Sequence, residues 1–158
     1  MSLKIRPMRK GEEAAVAALL RQLPRDLNLG IEFAITGEAL VKAAGLAEIS
    51  VAEDSGLMLG VCSWTMTYST QRAMPGIYIC DLFVLGHARG RGIGDALLRG
   101  VMTQAAKRGA GFIKMEVDVA NDGAARFYER LGFKHKNDDR YYALEPQEFA
   151  NLLKGEKR

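Results

Sequence analysis

The sequence predicts a mixed α+β domain: a central mixed sheet of about six to seven strands, flanked by about four to five helices on both faces. Three observations carry that expectation. Ile77 to Leu85 is an almost continuous run of β-branched and aromatic residues, the pattern of a strand buried on both faces. From Ile93 the apolar period changes, with Ile93, Ala96, Leu97, Gly100, Val101 and Ala105 on one helical face. Phe112 to Val119 then alternates strictly, Ile113, Met115, Val117 and Val119 against Lys114, Glu116 and Asp118, which is a strand with one more polar face.

Taken in order, Leu3 to Met8 is a short strand, and Gly11-Glu-Glu13 opens an amphipathic helix carrying Val16, Leu19, Leu20 and Leu23, stopped at Pro24. Residues 25 to 35 are a loop or irregular helix with Asp26, Glu32 and Phe33. Thr36 caps a second helix that runs through Ala44, with Gly45 as its stop. Glu48 to Glu53 and Leu57 to Tyr68 are two strands joined by a turn at Asp54-Ser-Gly56. After the helix that begins at Ile93, Gly109-Ala-Gly111 is a stop. Ala124 to Arg130 is a short helix ended by Gly132, and Phe133 to Lys136 with Arg140 to Leu144 are expected to form two last strands around Asn137-Asp-Asp139. Pro146 opens a final helix through Leu153, and Gly155 to Arg158 is a polar tail.

With 158 residues, 48% hydrophobic and 26% charged, residues 1–158 are expected to form a single soluble domain. A net charge of +3, with no basic run or aromatic-basic interleaving, gives no reason to expect nucleic acid. There is no apolar run long enough for a membrane span and no signal-peptide core at the N-terminus, so the expected location is cytoplasmic and no membrane partner is expected. Cys62 and Cys80 lie among apolar neighbours, and with His87 and His135 they show no zinc-ligand spacing, so no metal is expected.

The chemistry concentrates between strand and helix, at His87-Ala-Arg-Gly-Arg-Gly-Ile-Gly94. Glycines let backbone N–H groups approach a ligand, and a helix start offers unpaired N–H groups at the positive end of its dipole, so the loop is an anion cradle. The glycine spacing does not fit the dinucleotide fingerprint, and no Gly-Lys-Ser/Thr of a nucleotide P-loop is present. Arg89-x-x-Gly92-x-Gly94 after Leu82-Phe83-Val84 resembles the pyrophosphate motif of the GCN5-related N-acetyltransferase (GNAT) superfamily. A second block, Asn121-x-x-Ala124-x-x-Phe127-Tyr128-x-x-x-Gly132-Phe133, is similar to that superfamily's other signature.

The resemblance covers nearly the whole chain and implies the GNAT fold, with acetyl-CoA as cosubstrate and a primary amine as acceptor. It implies that the glycine loop binds the cofactor through Arg89, Gly90, Arg91, Gly92, Ile93, Gly94 and Asp95, with the backbone amides from Arg91 to Asp95 on the pyrophosphate. Main-chain groups of Leu82, Phe83 and Val84 would pair with the pantetheine arm, Asn121 would bond near the sulfur, and Tyr128 would protonate the departing thiolate. Phe127, Leu131 and Phe133 read as core. An alkylamine with a pKa of ~10.4 must lose a proton before it attacks, and Asp81, Glu116 or Asp118 is the candidate base, directly or through water. Within the superfamily the chain looks most like the diamine (spermidine/spermine) acetyltransferases, with one departure: Cys80 stands where that branch commonly has Glu before the Asp. Asp26, Glu32 and Asp81 with Trp64, Tyr68 and Tyr141 would line a site for a small cationic amine, polyamine- or lysine-like. The resemblance also admits a homodimer. Two alternatives stay open: a non-catalytic acetyl-CoA-binding regulatory module, and an acetyltransferase for a protein N-terminus or another amine.

Overall fold

The computed structural model describes residues 2–155, and the chain divides after Asp118 into two compact units. The first unit holds β1 (Lys4–Pro7), α1 (Glu13–Leu20), α2 (Leu23–Asp26), α3 (Gly37–Lys42), β2 (Glu48–Asp54), β3 (Leu57–Ser69), β4 (Met74–Val84), α4 (Ile93–Ala106) and β5 (Ile113–Met115). The second holds α5 (Asp122–Arg130) and α6 (Pro146–Leu153).

The five strands lie side by side in chain order; β1 to β4 are antiparallel neighbours and β5 runs parallel to β4. The mixed α+β class therefore holds, but the sheet has five strands among the described residues rather than six to seven. Two expectations account for the difference. Phe133–Lys136 and Arg140–Leu144 form no strands. The intervening Lys134-His-Lys-Asn-Asp-Asp-Arg140 is almost wholly charged or polar and exposed, so little apolar surface rewards a ladder there. The strand expected over Phe112–Val119 is also cut to Ile113–Met115, and Val119 is 98% exposed. The expected polar tail beyond Gly155 lies outside the described residues.

Helices cover both sheet faces, as the two apolar sets of the strands require. On one face Val16, Ala17, Leu19 and Leu20 of α1 and Leu40 of α3 form a core with Ile49, Val51, Val61 and Phe83. Thr36 starts α3 by accepting the Ala39 N–H at 3.1 Å. On the other face α4 buries Ile93, Leu97, Leu98, Val101 and Ala105, the stripe its 3.6-residue period sets out. Burying each of the four larger side chains, Ile93, Leu97, Leu98 and Val101, contributes about 1.5–3 kcal/mol. Gly100 lets α4 approach β1, because a Cβ there would run into Ile5. The buried Trp64 on this face donates its indole N–H to Ser50 Oγ at 3.1 Å, and Gln104 Nε2 of α4 donates to the same oxygen at 3.2 Å.

An ionic hub fastens the first strand. Arg6 of β1 forks onto both oxygens of Glu12, at 2.9 and 2.7 Å, and its Nε donates to Glu53 of β2 at 2.9 Å. The Arg6 hydrogen bond, with a further bond from the Arg9 backbone N–H, outweighs burial and holds the Glu12 carboxyl at about 2.

No described helix is long and apolar enough to cross a membrane.

Candidate active site

The site of the first unit begins where β4 breaks register. Ser63 pairs with Asp81 and Trp64 with Ile79, so Cys80 is an extra residue in β4, a bulge. On the other side β5 pairs only with Ile77, Tyr78 and Ile79. From Cys80 to Val84, then, no strand of the described residues covers that edge. Leu85 donates its N–H to Leu59 of β3 at 2.9 Å, and alternation turns the main-chain groups of Leu82 and Val84 to the uncovered edge, with those of Phe83 toward β3. The Phe83 side chain is core.

Asp81 stands at the start of this edge. Its Oδ2 accepts the Ser63 hydroxyl at 2.6 Å. Burial pushes its carboxyl above the ordinary range, and the Ser63 bond opposes that shift. Next to it the Cys80 thiol is also pushed up, by partial desolvation first and then by the Asp81 charge. A carboxylate of raised proton affinity, steadied by a hydroxyl, is suited to accept a proton at neutral pH. Ser63 was not singled out from the sequence; a lone hydroxyl between Cys62 and Trp64 in an apolar strand was the available signal. Of the other candidate bases, Glu116 accepts the Tyr78 hydroxyl at 2.8 Å, across the β4–β5 junction.

Beyond β4 a single 3₁₀ turn, Gly86–Ala88, leads into the glycine loop. Gly90 and Gly92 sit at φ of +74° and +75°, and a Cβ built on either would meet nothing within 4 Å. Gly92 is the N-cap of α4 and supplies no capping side chain, so the N–H groups of the helix start, Ile93, Gly94 and Asp95, have no side-chain cap. A helix start preceded by left-handed glycines, with no side chain over it, is of the kind that suits an anion such as a pyrophosphate. The arginines are engaged with protein: Arg89 Nε donates to the Val84 carbonyl at 2.9 Å and its Nη2 to Asp26 at 2.7 Å, and Arg91 lies 3.6 Å from Asp54. Asp95 pairs with Arg99 one turn on.

In the second unit the spacing of the other signature is helix-capping geometry. Asn121 Oδ1 caps α5 by accepting the Ala124 N–H at 3.1 Å. At the other end Gly132 adopts φ +95°, while Gly132 N bonds Glu129 O at 3.0 Å and Phe133 N bonds Tyr128 O at 3.1 Å, a Schellman stop. The same motif sets Phe133 against Tyr128 in a tilted contact, with ring centroids 5.3 Å apart, and Phe127 meets Tyr128 edge-on at 5.1 Å. Phe127, Leu131 and Phe133 are half-buried rather than core. Asn121 and Tyr128 are seven residues apart, which puts them on one side of the helix.

The acceptor lining expected from the sequence changes. Trp64 is 2% exposed, on the α4 face, so it lines no cleft. Asp26 is tied to Arg89 and Glu32 to Arg25. Tyr68 lies near the far end of β3, and Tyr141 belongs to the second unit. Of that set Asp81 alone sits on the β4 edge.

A sheet whose fourth strand is bulged and open beside a glycine-rich helix start defines an acetyltransferase architecture. The chain belongs to the Acetyltransferase (GNAT) family, whose model matches residues 20–133. It is an acetyl-CoA-dependent acetyltransferase by class. It is similar to the uncharacterized N-acetyltransferase YhfO of Bacillus subtilis, 30% identical over 146 residues that cover 90% of this chain and 97% of that one. It is 38% identical over 77 residues to N-alpha-acetyltransferase 30 of Schizosaccharomyces pombe, covering 48% of this chain and 51% of the relative, so the match spans about half of that protein. Among solved structures, an aminoglycoside acetyltransferase, meta-AAC0020, from an uncultured soil metagenomic sample, in complex with sisomicin, shares the fold. Its TM-score is 0.75 at 20% identity, over 90% of this chain and 97% of that one.

Proposed function

We propose that residues 1–158 act as one N-acetyltransferase domain that moves the acetyl group of acetyl-CoA directly to a primary amine of a small cationic molecule, polyamine- or lysine-like. The observation that carries the acceptor reading is Asp81: a carboxylate with a hydroxyl partner at 2.6 Å and a raised proton affinity, at the start of the uncovered β4 edge. It attracts a protonated amine by charge and then takes its proton, which an amine of pKa ~10.4 must lose to attack.

Acetyl-CoA supplies the activated acetyl group. The glycine loop from Gly90 through Asp95 holds the pyrophosphate with backbone N–H groups, and the main chain of Leu82 with the N–H of Val84, whose carbonyl Arg89 occupies, aligns the pantetheine arm. A backbone N–H on that edge faces the thioester oxygen as it gains charge, an interaction worth several kcal/mol in such sites. Asn121 steadies the sulfur, and Tyr128 gives its phenolic proton to the departing thiolate. Arg89 and Arg91 contribute mainly through loop shape, since both already face carboxylates.

The kinship to diamine acetyltransferases is the weaker part, because Cys80 replaces a carboxylate and Trp64 is withdrawn into the core. A protein N-terminus as acceptor is the second reading, favoured by the likeness to the fission-yeast N-alpha-acetyltransferase. Release of free CoA thiol with a panel of diamines, a neutral amine and a peptide N-terminus decides between them. The proposal expects the highest kcat/KM for diamines or lysine-like amines. A peptide or neutral amine that equals them refutes the cationic site, and CoA binding without any turnover would make the protein a binding module.

A further inference from the structure

We propose that Arg89 is a positioning residue that links the glycine loop to the segment after α2, so that cofactor binding orders the 27–35 loop. The inference rests on the acetyl-CoA reading above and goes beyond it, since the family motif alone would spend Arg89 on phosphate.

The geometry spends it otherwise. One guanidinium makes three contacts on two pieces of chain: its Nε donates to the Val84 carbonyl at 2.9 Å, its Nη2 donates to Asp26 Oδ2 at 2.7 Å, and its carbon lies 5.6 Å from the centre of the Phe83 ring. Val84 and Phe83 belong to the end of β4, Arg89 to the glycine loop, and Asp26 is the last residue of α2. Residues 27–35 then run without helix or strand, with Asn28 at φ +51°. That loop is also fastened by Arg21 Nη1 to the Ile35 carbonyl at 2.8 Å and by Arg25 to Glu32 at 3.3 Å. Those ties stay within residues 21–35, whereas the Arg89–Asp26 pair reaches the phosphate loop.

A half-exposed ion pair contributes little to global stability. It is well suited to bias a loop between an ordered and a loose arrangement, because such an equilibrium is itself shallow. A pyrophosphate held on the backbone of 91–95 stills the loop that carries Arg89, and the fork passes that order to Asp26. Moving Arg89 onto the phosphate instead would break the Asp26 bond and free the Val84 carbonyl, loosening both neighbours.

Hydrogen–deuterium exchange of peptides spanning residues 23–36, with and without saturating CoA, tests this alongside CoA Kd by calorimetry. In the native protein CoA slows exchange there by about 5-fold or more, the low end of usual coupling between sites. Asp26→Asn abolishes the slowing while CoA Kd stays within about 3-fold and Tm is unchanged. Asp26→Glu, which keeps the charge, retains it. Slowing that persists in Asp26→Asn, or is missing in a native protein that binds CoA, overturns the coupling and leaves the proposed function standing. A tenfold loss of CoA affinity in Asp26→Asn overturns it too, since the pair would then serve binding itself. A native protein that binds no CoA overturns both.

Discussion

Replacing Gly92 by Ala separates the two things its backbone does. Gly92 sits at φ +75°, and the added methyl would meet nothing within 4 Å, so sterics add no cost and only the left-handed backbone does. For a non-glycine residue that is about 1–2 kcal/mol. In a chain of this size each kcal/mol moves Tm by about 2–4 °C, so a fall of roughly 2–8 °C is expected. Gly45, at φ +85° with equally open surroundings, is the matched control, as it lies beyond α3 and away from the glycine loop. Gly45→Ala should lose the same stability and leave CoA binding unchanged. Gly92→Ala should lose in addition at least about tenfold in CoA affinity, equal to ~1.4 kcal/mol, if the phosphates rest on this loop, because a methyl then stands between them and the backbone N–H groups. Thermal melts and calorimetric titration with CoA measure both. If Gly92→Ala binds CoA within twofold of the native protein while losing the same stability as Gly45→Ala, the pyrophosphate is not held at this loop.

Three further outcomes follow from the same geometry. Glu12→Gln should cost about 1–2 kcal/mol at pH 7, after discounting the carboxyl's shift from 4.5 to about 2 for its partial exposure. A depressed carboxyl stabilises above its unfolded pKa, so the gap to the native protein in denaturant melts should close as pH falls from 4.5 toward 2; a gap unchanged at pH 3 would mean the hub does not carry it. Tyr128→Phe keeps the ring between Phe127 and Phe133, so CoA binding should survive while turnover falls ~10²–10⁴-fold; unaltered turnover would mean another group protonates the thiolate. Ser63→Ala removes the one hydrogen bond that lowers the Asp81 pKa, so the acid limb of kcat/KM should move to higher pH, and a fixed limb would exclude Asp81 as the base.

Much of the fold was legible because period and punctuation agree. The 3.6-residue stripe from Ile93, the Thr36 cap and Pro146 at a helix start each act locally, and each lies where the chain predicted it. What failed depends on partners distant in sequence. Phe112–Val119 has a perfect strand alternation, yet the bulge at Cys80 turns β4 and its ladder with β5 ends at Ile79–Met115. A bulge is a mismatch between two strands, and neither strand's own pattern shows it. Trp64 illustrates the same limit at the site: an aromatic in a strand suits a cleft or a core equally, and the Ser50 hydroxyl across the ladder decides for the core. Asp26 and Arg89, 63 residues apart, each suggested a ligand contact, and their pairing with each other could be seen only in three dimensions.

The central claim, that acetyl-CoA lies along the open β4 edge with its pyrophosphate at the start of α4, is tested most directly by titrating ¹⁵N-labelled protein with CoA and following backbone amide shifts. The account predicts the largest shifts at Leu82 and Val84 and from Arg91 to Asp95, with Gly45 and the β1–β2 edge undisturbed. Shifts centred away from β4 and the glycine loop, or no shifts at millimolar CoA, would contradict it.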